Sequence, residues 1–237
     1  MTLLDLTLPT PAENLACDEA LLDFCEETNA PEILRFWEPE EFFVVVGYAN
    51  KVEIEVNRKA CRAKEISILR RCSGGGTVVQ GAGCLNYSLI LNFAENDLLQ
   101  TITRANEFIM GKHREVLEKH LGSEIKIEGH TDLAMRGLKF SGNAQRRKKS
   151  FLLFHGTFLL NFDISMVEEF LQMPSKQPEY RNNRSHGDFL TNIPVKPKTL
   201  KNLLRDTWNA AAILPTAPKI SDELIEKYRS AKWNLKF

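Results

Sequence analysis

Two stretches of this sequence combine residue types that can hold an anion. The first is Arg70-Arg71-Cys72-Ser73-Gly74-Gly75-Gly76-Thr77-Val78. Three successive glycines let a backbone approach a ligand closely and turn its amides toward it. Such amides hold phosphate or carboxylate oxygens, and Arg71 adds a planar, permanently charged fork. The spacing is neither G-x-x-x-x-G-K-[ST] nor G-x-G-x-x-G, and a glycine-rich turn between surface arginines is an equal alternative on these residues alone. The second stretch, Arg136 to Lys149, holds six basic residues and no acidic one. Arg146–Lys149 read as a solvated hairpin tip. Lys139 differs, because it sits among apolar residues beside Ser141-Gly142, where an ammonium could bind a carboxylate or an anionic leaving group as a point charge. Asp132, seven residues before Lys139, could pair with it or help hold a metal. His155-Gly156-Thr157 interrupts an apolar run, and a lone strand histidine is more often a hydrogen-bonded core residue than a reactive one. The sequence shows no His/Cys/Asp cluster with metal-site spacing and no Gly-x-Ser-x-Gly elbow.

The chain that must position these groups has 237 residues, 43% of them apolar and 26% charged. Those values suit one compact domain over residues 1–237 and argue against a fibre, a coiled coil or a disordered chain. Thirty-one basic residues balance 31 acidic ones, so net charge supplies no drive toward nucleic acid or acidic membranes. Eight acidic residues precede the first basic one, Arg35, a pattern opposite to that of a secretory or mitochondrial leader. The five cysteines are odd in number and lack C-x-x-C spacing, so reduced thiols in a cytoplasmic protein are expected.

The periodicity predicts a helix over Pro11–Thr28, with Thr10 as cap, Glu13 completing a capping box and an apolar stripe of Cys17, Leu21, Phe24 and Thr28 with Leu22 and Cys25 beside it. Phe42–Val46 reads as a central strand covered on both faces, Ile66–Arg70 as a short strand, and Leu85–Leu91 as a strand with its odd positions on one face. A long helix is expected over Asn96–Leu121, with Leu98, Ile102, Ala105, Ile109, Val116 and His120 inward and Gly122 ending it. Strands should follow at Ile125–Glu128, Leu138–Phe140 and Phe151–Phe162, with a hairpin turn at Gln145–Ser150. Helices are expected at Ser165–Leu171, Thr199–Ala211 and Ser221–Ala231, the last in a short tail (about 215–237) set off by Pro215–Pro218. Strands arriving in runs favour an α+β fold, a mixed, largely antiparallel sheet with flanking helices.

Taken together, the segments resemble the lipoate–protein ligase A family. The resemblance is carried by Arg70-Arg71-x-Ser73-Gly74-Gly75-Gly76-Thr77-Val78, Gly83-x-Leu85-Asn86-Tyr87-Ser88, Thr131-Asp132-Leu133, Lys139-x-Ser141-Gly142-x-Ala144 and His155-Gly156-Thr157, in that order. Asn14-Leu15-Ala16-x-Asp18-Glu19 and Val46-Gly47 also look like that family, and the similarity runs from about residue 10 to 195. The resemblance implies the catalytic-domain fold shared with biotin–protein ligases and a two-step reaction. Lipoate and ATP give lipoyl-adenylate and pyrophosphate, and the acyl group then passes to a lysine of a lipoyl-acceptor protein. That acceptor would be the lipoyl domain of a dehydrogenase-complex acyltransferase or a glycine-cleavage H-like protein. It implies that Lys139 is catalytic. Arg71, Ser73, Gly74, Gly75, Gly76, Thr77, Val78 and Val79 would cradle the adenylate. Ser141, Gly142, Ala144, His155 and Thr157 would line the lipoate site, and Asp132 would help place Mg²⁺.

The sequence departs from the family pattern in places. Gln80 stands where many members have His, and Thr131 where an Asn commonly precedes the Asp. Larger members carry a C-terminal accessory domain, so the resemblance leaves two alternatives: the chain works alone, or a separate accessory subunit supplies that part. Related octanoyltransferases use a cysteine nucleophile shortly before the matching lysine or just before the matching histidine. Here Ile125–Leu138 holds no cysteine, and Phe154 precedes His155. An octanoyl or lipoyl transferase and a non-catalytic lipoate-binding subunit stay open as alternatives, without nucleic acid or membrane as partner.

Overall fold

The computed structural model describes residues 1–214 and 216–237, so the expected boundary at Pro215 lies outside the described residues. Eleven strands form two sheets among the described residues. The larger has eight strands in the order β11-β1-β2-β6-β10-β9-β8-β7: β1 Thr2–Asp5, β2 Ile33–Trp37, β6 Cys84–Asn92, β7 Ile125–Glu128, β8 Asp132–Met135, β9 Leu138–Arg147, β10 Phe151–Leu159 and β11 Ala212–Ile213. Only β11-β1 and β1-β2 pair parallel. The smaller sheet orders β4 (Ser67–Arg70), β3 (Phe43–Val46) and β5 (Val78–Gln80), with β3 parallel to β4 and antiparallel to β5. The mixed, mostly antiparallel α+β fold is the one expected.

Helix α1 (Pro11–Thr28) begins as its sequence dictates. Thr10 Oγ1 accepts from the Glu13 amide at 3.3 Å, and Glu13 Oε2 accepts from the Thr10 amide at 3.0 Å. The helix lies between the two sheets, so the single expected stripe is too narrow. Cys17, Leu21, Leu22 and Cys25 pack against Ile90, Phe151 and Leu153, while Ala12, Leu15 and Ala16 face Trp37, Phe43 and Val45. Phe24 is half-buried and Thr28 exposed. Short helices α2 (Val52–Glu55) and α3 (Arg58–Ala63) follow β3.

The long helix is shorter than expected. A 3₁₀ turn at Asp97–Leu99 precedes α4 (Ile102–Leu121), and Thr101 caps the latter. That break swings Leu98 (52% exposed) and Ile102 (58%) outward and leaves Ala105, Ile109, Met110, His113 and Leu117 inward. Gly122 ends the helix in the left-handed conformation, φ 62°. The expected hairpin turn also shrinks, because β9 continues to Arg147, whose guanidinium donates to Leu99 O at 2.7 Å and lies over Phe93.

Helices α5 (Ser165–Phe170), α6 (Pro197–Thr207), α7 (Asp222–Arg229) and α8 (Ala231–Asn234) complete the chain. The main core sits between the large sheet and α4 and α6, where Tyr87, Phe140, Phe154 and Phe158 are fully buried. Helix α7 packs on α1, and α8 reaches β4. Strands β1, β2 and β8 carry no alternation that marks them in the sequence, and β2 (Ile-Leu-Arg-Phe-Trp) is buried along its whole length.

Candidate functional site

The two sheets meet at a cleft of about 2190 Å³. Fourteen of the 15 site residues expected from sequence line it: Arg71, Gly74, Gly75, Gly76, Thr77, Val78, Val79, Asp132, Lys139, Ser141, Gly142, Ala144, His155 and Thr157. Ser73 does not; it lies behind the loop, 1% exposed. The volume exceeds the several hundred Å³ of an ordinary small-molecule pocket, roughly 300–1,000 Å³, and leaves room for two ligands side by side.

The glycine loop joins β4 to β5. Arg71 clasps it from behind: Nε donates to Ser73 Oγ at 3.1 Å and to Gly74 O at 3.0 Å, and Nη2 donates to Gly74 O at 2.6 Å and Gly76 O at 2.7 Å. Asn50 Nδ2 adds a bond to Gly75 O at 3.1 Å. With their carbonyls held, Gly74, Gly75 and Gly76 stay exposed, and among the described residues no acceptor meets their amides. Gly75 has φ +87°, and a Cβ there would stand 2.8 Å from Arg71 Nη2. A Cβ on Gly47 would stand 2.1 Å from Gly75 O, so both glycines are required by close approach. Arg71 is 8% exposed and has no carboxylate partner; burial lowers its pKa to about 10. Three free amides beside an unneutralised guanidinium are an arrangement that can receive an anion.

Arg70 points the other way. Its Nη1 donates to the carbonyls of Gly47, Tyr48 and Asn50, and Nη2 and Nε donate to those of Asn234 and Trp233. It ties α8 to the segment that backs the loop, a role the sequence did not disclose.

Lys139 stands on β9. Its Nζ is 2.8 Å from Asp132 Oδ1, and the Tyr180 hydroxyl donates to Asp132 Oδ2 at 2.9 Å. Burial and the Asp132 charge keep the Tyr180 phenol far above its usual pKa, so it stays a donor. The backbone of Lys139 is gripped as well, its amide by Phe189 O and its carbonyl by the Thr191 amide, each at 2.9 Å. Simple alternation places Lys139 and Ser141 on one face, but the register slips here. Ala134 pairs with Lys139 and Leu133 with Ser141, so Phe140 is the extra residue of a bulge that re-aims its neighbours. Lys139, Phe140 and Ser141 all reach the cleft. Gly142 makes the space, since a Cβ there would lie 2.8 Å from Lys139 Nζ.

Further in, polar side chains are locked to one another. Gln80 Nε2 donates to Thr157 Oγ1 at 2.9 Å, Thr157 Oγ1 to Asn86 Oδ1, and Asn86 Nδ2 to Gln80 Oε1 at 3.3 Å, a closed ring. Tyr87 donates to Asn143 Oδ1 at 2.6 Å, and a Cβ on Gly156 would overlap that oxygen. Asn143 and Thr131 are joined by two bonds, 2.6 and 2.7 Å. Leu159, Phe162 and Val79 add apolar surface.

All five thiols are buried and none lines the cleft. Burial raises Cys17 and Cys61 to about 11, and Cys25, Cys72 and Cys84 to about 12. Among the described residues no three His, Cys, Asp or Glu side chains gather as a metal site, and no helix is long and apolar enough to cross a membrane. Tyr180, Asn143 and Arg35 went unnoticed in the sequence. The first lies in a short 3₁₀ turn (Glu179–Arg181) without local signal, and the other two act through partners on other elements, Asn143 with Tyr87 and Thr131 and Arg35 with Asn14 and Asp18.

Residues 10–201 match the lipoyl protein ligase A/B catalytic domain. An octanoyltransferase, LipM, of Lysinibacillus sphaericus is 25% identical, over 96% of this chain and 95% of its own. A provisionally named lipoate-protein ligase A of Aeropyrum pernix is 29% identical over 92% of this chain and 78% of its own. Among solved structures, a lipoate-protein ligase A bound with ATP superposes with a TM-score of 0.78 at 23% identity, covering 99% of this chain and 98% of that one. The bipartite lipoate protein ligase of Thermoplasma acidophilum, solved in a study with its E2 lipoyl domain, gives 0.75 at 23% identity, with 99% and 95% covered.

Proposed function

The chain belongs to the lipoyl protein ligase A/B catalytic-domain family of protein-lipoylating enzymes, and from that premise we propose that it is an ATP-dependent lipoate–protein ligase. It activates lipoate as lipoyl-adenylate, releases pyrophosphate, and passes the acyl group to a lysine of a lipoyl-acceptor protein. The observation that carries the choice is the placement of its nucleophiles. A transferase that holds the acyl group on itself needs a thiolate in the cleft. Every thiol here is buried elsewhere with a raised pKa, whereas the Lys139 ammonium lines the cleft.

The residues divide the work in this reading. The amides of Gly74–Gly76 and the Arg71 charge receive the phosphate oxygens of the adenylate. Lys139 leaves Asp132 to orient the lipoate carboxylate against the α-phosphate, then steadies the departing AMP. Ala144, His155 and Thr157 flank the acyl chain. Mg²⁺ commonly binds through one or two carboxylates together with phosphate oxygens. Asp132 is the carboxylate suited to that role, and the ion would neutralise phosphate charge. Asp132 can accept it only by loosening its bonds to Lys139 and Tyr180.

The acceptor is proposed to be an E2-type lipoyl domain or a glycine-cleavage H-like protein, with a separate accessory subunit as a further partner. The octanoyltransferase reading draws on the 25% identity to LipM. The test mixes the protein, free lipoate, Mg·ATP and a lipoyl domain, and weighs the acceptor by mass spectrometry. ATP-dependent gain of one lipoyl group, with pyrophosphate release, is expected. Transfer from octanoyl-carrier protein at a similar rate without ATP would overturn the ligase reading. Adenylate formation without transfer would show that the accessory subunit is required.

A further inference from the structure

Four residues from four different elements form one line of hydrogen bonds beneath the glycine loop. Ser73 Oγ lies 2.6 Å from His155 Nε2, His155 Nδ1 lies 3.1 Å from Asp18 Oδ2, and Asp18 Oδ1 lies 2.6 Å from Arg35 Nη1. None of the four is more than 9% exposed. Their donor inventory sets the direction of each bond. Arg35 can only donate, and it also holds Asn14 O, Asn14 Oδ1 and Leu6 O. Burial alone would raise the Asp18 carboxyl, but the Arg35 charge and the hydrogen bond from His155 more than offset it and hold the pKa below its ordinary value. Asp18 is therefore an acceptor toward His155 Nδ1–H. A neutral imidazole so placed presents a bare Nε2, which accepts the Ser73 hydroxyl proton. Ser73 Oγ in turn accepts from Arg71 Nε at 3.1 Å.

A serine, histidine and carboxylate in line could also suggest an acyl-carrying nucleophile. Ser73 is 1% exposed and outside the cleft lining, whereas the His155 imidazole and the edge of Asp18, itself only 2% exposed, border the cavity. The line therefore ends on the loop, not on a substrate. We propose that Asp18 is a positioning residue: by fixing the His155 tautomer with the proton on Nδ1, it makes Nε2 the acceptor that anchors Ser73 and so sets the Gly74–Gly76 amides at the height where they meet an anionic ligand. The identity of that ligand, the adenylate phosphate, rests on the ligase reading; the tautomer and the loop anchor do not.

Asp18→Asn separates this role from simple packing. Arg35 takes only an acceptor, so it claims the Asn carbonyl and turns the amide N–H toward His155 Nδ1. The proton then moves to Nε2, and His155 donates to Ser73 rather than accepting from it. The test uses the full chain with ¹⁵N-labelled histidine and glycine. In the wild type the His155 ring should show a protonated Nδ1 and a bare Nε2, and in Asp18→Asn the reverse, with shifted amide peaks of Gly74–Gly76. Kinetically, Asp18→Asn should raise KM for ATP roughly five- to tenfold, the worth of about one hydrogen bond, with kcat changed less. His155→Gln keeps an acceptor for Ser73 without needing Asp18, so in that background Asp18→Asn should leave KM nearly unchanged. A wild-type His155 protonated on Nε2 would overturn the proposal, and so would an Asp18→Asn effect undiminished in the Gln background. If Asp18→Asn fails to fold, the wild-type tautomer and the loop amides of Ser73→Ala still decide. Should the protein lack ligase activity, the ring and amide signals test the anchor independently.

Discussion

Arg71 and Lys139 each bring a cation to the cleft, one from the small sheet and one from the large, but their surroundings differ. Arg71 is buried, and its guanidinium is bonded to the carbonyls of the loop it supports. Lys139 keeps 22% of its side chain exposed and has one carboxylate partner, Asp132. A guanidinium has five donors in a rigid fork, which suits the shaping of a backbone loop. An ammonium on a four-carbon stem can exchange one anion for another at little cost in geometry. The cleft therefore pairs a cation that builds with a cation that can act.

The sharpest way to break this contrast is Lys139→Ala. It should lower adenylation and transfer by on the order of 10²–10³ while leaving thermal unfolding almost unchanged. Lys139→Arg should fail as well, because a planar fork cannot replace a compact point charge there. Near-normal lipoylation of the acceptor by either variant would remove Lys139 from the mechanism.

Arg71→Lys should show the opposite profile. One ammonium cannot replace bonds to Ser73, Gly74 and Gly76, so the loop loosens and KM for ATP rises about tenfold or more, with stability lowered by about 1–3 kcal/mol. Urea unfolding together with steady-state kinetics would separate the two effects. Arg70→Met tests the same logic away from the cleft. It leaves the carbonyls of Gly47, Asn50, Trp233 and Asn234 short of a buried donor, and should cost about 2–4 kcal/mol of stability.

Acid should reveal the buried pair Asp18–Arg35. The Asp18 pKa is lower in the folded protein than its ordinary value of 3.8. The stabilisation is therefore complete above about pH 4 to 5 and is lost as pH falls through the folded value. Urea midpoints from pH 6 to 3 should fall more steeply for the wild type than for Asp18→Asn below pH 4. The smallest effect is expected for Cys72→Ser and Cys84→Ser, which should keep most lipoylation activity. Trapping of an acyl thioester on either thiol would revive the transferase reading.

Much of the site was legible because its residues cluster along the chain. Gly74–Gly76, Lys139 with Ser141-Gly142, and His155-Gly156-Thr157 are short local signals, and each lies on or beside a strand that its apolar neighbours also announce. Legibility failed where a residue's work depends on a partner far away. Arg70 and Arg71 are adjacent and look alike in sequence, yet the alternation of side chains from β4 sends one to the C-terminal helix and the other under the loop. Likewise, the stripe of α4 was misplaced because the backbone breaks at Thr101, where a cap hydrogen bond outweighs apolar periodicity.

By itself the sequence determined the α+β class, the start of α1 through its capping box, the glycine stop of α4 and fourteen residues of the cleft lining, because capping, backbone freedom and hydrophobic period are local properties. Only the tertiary structure decided that Ser73 faces inward, that Phe140 is a bulge, that Tyr180 reaches Asp132, and that Asp18, His155 and Ser73 share one line of protons. Those outcomes depend on strand register and on close approach between residues 48 to 137 positions apart in the chain, and a hydrogen bond effective only within about 3 Å leaves no periodic trace in the chain that makes it.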